Sequence, residues 1–415
     1  MFRFTLIAVL MLVILPTAWA QVEPPAPEEP APEEPAVEEP AVEEPEAVPL
    51  TEKEEVVEPE EGSDLDAAVE ELLSEEGLKA GDTTLKFGGA IWVNYSAQQW
   101  KTDTPGKVRG MNFDNLRLSL DGDYKEKLYF SAQYRLYSYT RAIHHAYFGY
   151  QLDDENKFEL GILQVPFGLQ PYATHSFWFG LGYYVGLEDD YDAGLRWHHS
   201  GGGLSVDLAF FLNEEYNDAT NLERYSVDVV RVGDQQNEEV NQFNARVAYD
   251  FSGDEDTTTE FGLSGRWGIL DNLITDDTGD YWAAAAHFKG RYGAWNPELQ
   301  VSRYEYHPEN PVGVDDTTVL MGNLTSTRLV AAKGTLLNAN LRRFFEVNEG
   351  VFDRFNVYVN YSWLAKDEDG FLDSHLINPG AVLEFGPFWV WIDFLFGKNC
   401  WYLNDSEAAS GMGAG

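Results

Sequence analysis

The sequence predicts an all-β chain, most of it a transmembrane antiparallel β-barrel of about sixteen strands, preceded by a disordered acidic proline-rich spacer and a short helix. Three observations carry this reading. From Thr84 onward apolar and polar residues alternate in runs of roughly ten residues, the length a tilted strand needs to cross a bilayer. The polar face of those runs carries charges at mid-strand, which a dry sandwich core does not tolerate unpaired but a wet lumen does. Short turns and long connections also succeed one another along the chain, as in membrane barrels. The net charge is -42, yet aromatics make up 14% of the 415 residues and recur in the alternating runs, so the acidic excess belongs to tails and loops. A single cysteine, Cys400, excludes an internal disulfide framework.

Taken in order, Met1–Ala20 has Arg3, an apolar core from Leu6 to Leu15 and Ala18-Trp19-Ala20. These mark a secretory leader with an A-x-A cleavage site, absent from the mature protein, and argue against a soluble cytoplasmic enzyme. Residues 21–62 repeat Glu-Glu-Pro, so proline forbids helix and the glutamates repel one another. An extended spacer is expected, either crossing the periplasm or ending as a tail without a partner. Over 63–80, Ser63 can cap, Asp64 and Asp66 sit at the positive dipole end, Leu65, Val69, Leu72 and Leu73 share one face, and Gly77 is a stop. That predicts a short amphipathic helix that packs on a neighbour or on copies of itself.

The barrel is expected over 83–399, with 400–415 as a loop-like tail. Leu116, Leu118 and Leu120 alternate with Arg117 and Ser119; Phe243, Ala245 and Val247 alternate with Asn244 and Arg246. Turns are expected at Asp121-Gly122-Asp123, Gly201-Gly202-Gly203, Ser252-Gly253-Asp254, Tyr292-Gly293-Ala294 and Gly386-Pro387. Long connections are expected over 101–110, 213–239, 271–280, 307–332 and 366–373.

The stretch from Gln164 to Ser200 holds roughly 25 residues of Gly, Pro and aromatics between two strand patterns, long enough to be functional. Its aromatic run is too apolar for an exposed loop. It is expected to fold into the barrel mouth and narrow the lumen, with His175, Phe177, Trp178, Tyr183, Tyr184, Glu188, Asp189 and Asp190 at the constriction. The alternative is a packed Ω-loop on a soluble β protein.

Alternation turns Arg117, Arg135, Arg196, Arg246, Arg266, Lys289, Arg291 and Arg342 inward, with His145, His198 and His287. Against them stand Asp121, Glu159, Asp192, Asp207, Asp250, Glu260, Glu298, Glu384 and Asp393. Two readings remain open: a basic strip that steers anions, or cross-strand pairs that merely line a polar pore. The acidic stretches 188–190, 276–277 and 315–316 are expected at the entrance, where they repel anions unless Ca²⁺ or Mg²⁺ bridges them to lipopolysaccharide. Aromatics of the long loop offer stacking faces to sugars. Neighbouring residues on a strand face opposite ways, so His144-His145 and His198-His199 are not expected to make metal sites. No cofactor, metal or nucleic-acid motif is present in the sequence, and no G-x-S-x-G, P-loop or Cys-x-x-Cys occurs. A structural tether working through the Glu/Pro spacer, and a barrel enzyme, stand as alternatives to a channel for small hydrophilic solutes.

LKFGGAIWVNYSAQQW at Leu85–Trp100, QVPFG at Gln164–Gly168, YYVGLEDDYD at Tyr183–Asp192, NQFNARVAY at Asn241–Tyr249 and YHPENPVGVD at Tyr306–Asp315 resemble a branch of the phosphate-selective porin O and P family. The resemblance runs from about Thr83 to Asn399. It implies a sixteen-stranded, homotrimeric, passive channel in the lipid of a Gram-negative outer membrane. It does not carry over the solute, because family members selective for phosphate are known for clustered lysines and arginines and this barrel has few lysines.

Counting gives about fifteen alternating segments, the last being Phe388–Phe396, whereas such barrels close with even numbers. The expectation is therefore a chain one strand short, with Leu85–Tyr95 and Phe388–Phe396 as unpaired edges. A missed strand within Thr317–Asn323 is the alternative.

Overall fold

A computed structural model describes residues 3–14, 77–98, 109–251, 257–350, 352–400 and 403. Strands β1 (Arg3–Ile14), β2 (Leu78–Ala80), β3 (Thr83–Gln98), β4 (Arg109–Tyr124), β5 (Leu128–Tyr137), β6 (Arg141–Gln151) and β7 (Asn156–Gln164) come first. Then follow β8 (Tyr191–Gly201), β9 (Leu204–Glu214), β10 (Asp228–Val229), β11 (Asn237–Asp250), β12 (Thr257–Asn272), β13 (Thr278–Tyr292) and β14 (Trp295–His307). The chain continues with β15 (Thr318–Asn323), β16 (Ser326–Ala331), β17 (Lys333–Glu349), β18 (Phe352–Lys366), β19 (Ser374–Phe385) and β20 (Phe388–Lys398).

Among the described residues, fifteen strands, β3 to β9, β11 to β14 and β17 to β20, form the wall, each antiparallel to the next. The count matches the alternating segments. The stretch 317–323 does not supply another wall strand, because β15 pairs with β16 and β10 in a separate three-stranded sheet. That small sheet joins two long loops, and Val230 N–H donates to Leu320 O at 3.0 Å beside it.

The edges expected to be unpaired are both paired: β1 lies antiparallel to β20 on one side and to β3 on the other, completing a ring of sixteen. The filling segment is the one the sequence assigns to a leader. Its string RFTLIAVLMLVI lacks the apolar–polar alternation of the other fifteen strands. Without it, β20 and β3 are the edges of an open wall.

Burial alternates along the wall with the predicted register. On β12, Leu263 is 67% exposed while its neighbour Ser264 is buried; on β11, Val247 points out while Arg246 is buried. The turn expected at Asp121-Gly122-Asp123 lies inside β4. The chain reverses instead over the three residues Lys125-Glu126-Lys127, where Lys125 and Glu126 take positive φ of 56° and 54° and Lys127 N–H donates to Tyr124 O at 3.2 Å. Gly122 has another role, since a Cβ there meets the Phe130 ring at 2.5 Å. Leu78–Ala80, expected at the end of a helix, pairs with β3. The spacer, residues 63–76, most of the 101–110 connection and the Ser252-Gly253-Asp254 turn lie outside the described residues.

Leu263 sits near the middle of β12 on the outer face, so Leu263→Arg is expected to lower folding stability in lipid by about 2–4 kcal/mol. Reversible denaturation in bilayers measures this; unchanged stability means the faces are reversed.

Candidate functional site

The connection from β7 to β8 runs inside the barrel, and the wall supplies its hydrogen-bond partners. A backbone segment withdrawn from bulk water has to find such partners. Gly168 N–H donates to Ser264 Oγ at 2.8 Å, and Arg246 Nε donates to Gly168 O at 2.9 Å. Leu169 N–H donates to Gln300 Oε1 at 2.6 Å, and Lys289 Nζ reaches Gln170 O at 3.1 Å. Further on, Asn340 Nδ2 donates to Ala173 O at 2.6 Å. His175 N–H donates to Asn360 Oδ1 and Phe177 N–H to Asp393 Oδ2, both at 3.2 Å. The loop thus crosses the inner faces of β11 to β14 and β17 to β20. Gly168 is required there: its φ is +59°, and a Cβ would meet Gln300 Oε1 at 2.2 Å.

Within the loop, Glu188 accepts from Ala173 N–H at 2.8 Å, and burial pushes its carboxyl up to about 8. Asp189 accepts from the Tyr225 hydroxyl, and burial raises it as well. Both were expected at the entrance. They are buried instead, together with Asp190, because the end of the loop is folded under the connection between β9 and β11. Phe177 packs on Trp92 with centroids 4.6 Å apart, and Phe179 stacks on Tyr183 at 4.3 Å.

Beside the loop lies a cavity of ≈ 710 Å³, walled by β3 to β5 and β17 to β20 and by the loop aromatics. Arg117 and Arg135 face each other across β4 and β5. Arg117 lies 3.9 Å over the Trp92 ring, and its Nε donates to Asn115 at 3.2 Å. Arg135 lies 4.3 Å over Tyr225, with Nε on Gln133 at 2.8 Å. Arg342 lies 4.6 Å over Phe344, and its Nε has no hydrogen-bond partner among the described residues. None of these three is in an ion pair among the described residues. An aromatic face positions a guanidinium without neutralising it.

The other inward cations behave differently. Arg196 is paired with Glu159, Arg246 with Glu260 at 3.0 Å and Arg266 with Asp190 at 3.2 Å. Lys289 holds the loop, and Arg291 is exposed at the rim. The expected inward residues therefore divide into ion pairs and an unneutralised set. Sequence reasoning missed Arg354, paired with Glu384 at 2.6 Å, although it shares the parity of Asn356. It also missed Arg328 on β16, which lies 5.5 Å over Tyr184, because that hairpin reads as loop.

Histidines 198 and 199 face opposite ways as expected, toward Asp207 at 2.7 Å and Asn156 at 3.1 Å. His144 and His145 do not: their Nδ1 atoms are 2.8 Å apart. The register between β5 and β6 shifts between Gln133 and Tyr134, and the bulge turns His144 to the same side.

Deleting Thr174–Gly182 is expected to raise single-channel conductance in a correctly folded barrel; unchanged conductance rejects an inward loop. A second expectation concerns pH. His175 has Asn296 O at 3.2 Å and Glu298 Oε2 at 3.6 Å, and it faces Arg342 and Lys289. Burial, then the Arg342 guanidinium, push its imidazole down to about 3. A depressed imidazole favours the docked loop above the ordinary value near 6.5, and this contribution is lost as pH falls toward 3. Open-channel noise from undocking is therefore expected to rise as pH falls through that window, and to rise less in His175→Gln.

Three solved structures are similar to this chain. They are OmpT of Vibrio cholerae (12% identity, 77% of this chain and 98% of that one, TM-score 0.45), the channel DcaP of Acinetobacter baumannii (10%, 77% and 99%, 0.45), and an anion-selective porin from Comamonas acidovorans (10%, 76% and 100%, 0.44). No curated protein matches the chain. Residues 85–278, a little under half of the chain, match the family model described as phosphate-selective porin O and P, a match that supports a passive outer-membrane channel.

Proposed function

We propose that the channel passes small anions, drawn by Arg117, Arg135 and Arg342 past the constriction set by the inward loop. The carrying observation is that these three guanidiniums line the cavity on aromatic supports and outside any ion pair among the described residues. The cavity lining carries five guanidiniums, Arg117, Arg135, Arg328, Arg342 and Arg354, against three carboxyl groups, Asp114, Asp189 and Glu384. The local field is therefore positive even though the chain is strongly acidic, and a confined positive surface raises local anion concentration. We read the assembly as a homotrimer embedded among outer-membrane lipid and lipopolysaccharide, with the Glu/Pro spacer on the periplasmic side.

Reversal potentials across planar bilayers in a salt gradient test the solute reading. Anion preference is expected, and replacing Arg117 and Arg135 together by Gln is expected to lower the anion-to-cation permeability ratio by roughly tenfold. Cation preference in the unmodified channel overturns it.

A further inference from the structure

Where the inward loop rejoins the wall, Asp190, Asp192 and Asp228 each offer one oxygen, and the three oxygens lie within 4.8 Å of one another. All three side chains are at least nine-tenths buried. One oxygen of each has a donor: Arg266 Nη1 at 3.2 Å for Asp190, Gln242 Nε2 at 3.1 Å for Asp192 and Arg224 Nη1 at 3.0 Å for Asp228. The second oxygens of Asp190 and Asp228 are buried and have no hydrogen-bond partner among the described residues. The same holds for Glu215 Oε2, whose other oxygen accepts from Ser226 N–H at 2.9 Å. Glu215 and Glu239 are charge neighbours of this group, so five carboxyl groups stand against the two guanidiniums of Arg224 and Arg266. Unpaired buried carboxylate oxygens are costly, and an excess of them in one enclosed place calls for a cation.

We propose that Asp190, Asp192 and Asp228, with Glu215 beside them, form a calcium site that fastens the inward loop to the connection between β9 and β11. The donors are all oxygens, which selects a hard divalent ion rather than zinc or copper. Ca²⁺ accepts six to eight oxygens in a flexible shell, including the mixed mono- and bidentate carboxylates available here, whereas Mg²⁺ demands a near-octahedral shell and keeps several of its waters. The ion ties two segments far apart in the chain: the loop end running into β8, through Asp190 and Asp192, and the short strand β10, through Asp228.

The test uses the full chain, folded in detergent, freed of lipopolysaccharide and stripped with EDTA. Titration calorimetry with Ca²⁺ alone is expected to show one saturable site, weakened by more than roughly tenfold in Asp228→Asn and in Asp190→Asn. Thermal unfolding separates a site from a folding defect. Ca²⁺ is expected to raise the midpoint of the unmodified protein over its value in EDTA, and to leave that of a folded Asp228→Asn variant unchanged. No saturable binding at millimolar Ca²⁺ overturns the proposal, as does undiminished binding in both variants. Equal affinity for Mg²⁺ overturns the choice of ion.

Discussion

Everything inside this barrel depends on satisfying the backbone of one loop. Residues 168–177 carry N–H and C=O groups through the lumen, and Ser264, Gln300, Arg246, Asn340, Asn360 and Asp393 meet them. An unmet buried polar group costs about 1–3 kcal/mol, so a loop placed here without these partners returns to water. The wall's polar face is thus a docking track as much as a lining. That explains why its inward residues are so often amides, which offer a donor and an acceptor on one side chain.

The division of the arginines follows from the same economy of partners. Cations near the loop are used structurally: Arg246 holds Gly168 O, and Arg266 holds Asp190 and the Tyr306 hydroxyl. Arg117, Arg135 and Arg342 at the cavity lie on ring faces instead, which position a guanidinium without neutralising it. The loop aromatics, which suggest sugar stacking when read alone, act as part of this support: Phe177 packs on Trp92, which carries Arg117.

The wall was legible because period two is enforced by lipid on one side and water on the other, so each strand announced its register in its own residues. The inward loop was legible for a related reason, as its aromatics had nowhere else to be buried. Three features were not. The bulge that brings His144 beside His145 is set by pairing with β5, and nothing in the local string Ile143-His144-His145 marks it. The burial of Glu188-Asp189-Asp190 depends on Tyr225 and Ser226, more than thirty residues away. The hairpin β15–β16 has strand length but no lipid-facing side, so its pattern carries no membrane period.

That hairpin alters how two of the long loops can change over time. Strand β10 comes from one of them and β15–β16 from the other. Gln235 of the first also donates to Thr318 O of the second at 2.9 Å, and Leu324 N–H returns to Arg224 O at 2.9 Å. Loops of a barrel rim ordinarily drift independently, each free to lengthen or to shed an epitope. Here a segment inserted into either loop is felt by both, so the two are constrained as one unit. A chimera that grafts a foreign surface onto this rim has to exchange residues 214–236 and 308–332 together.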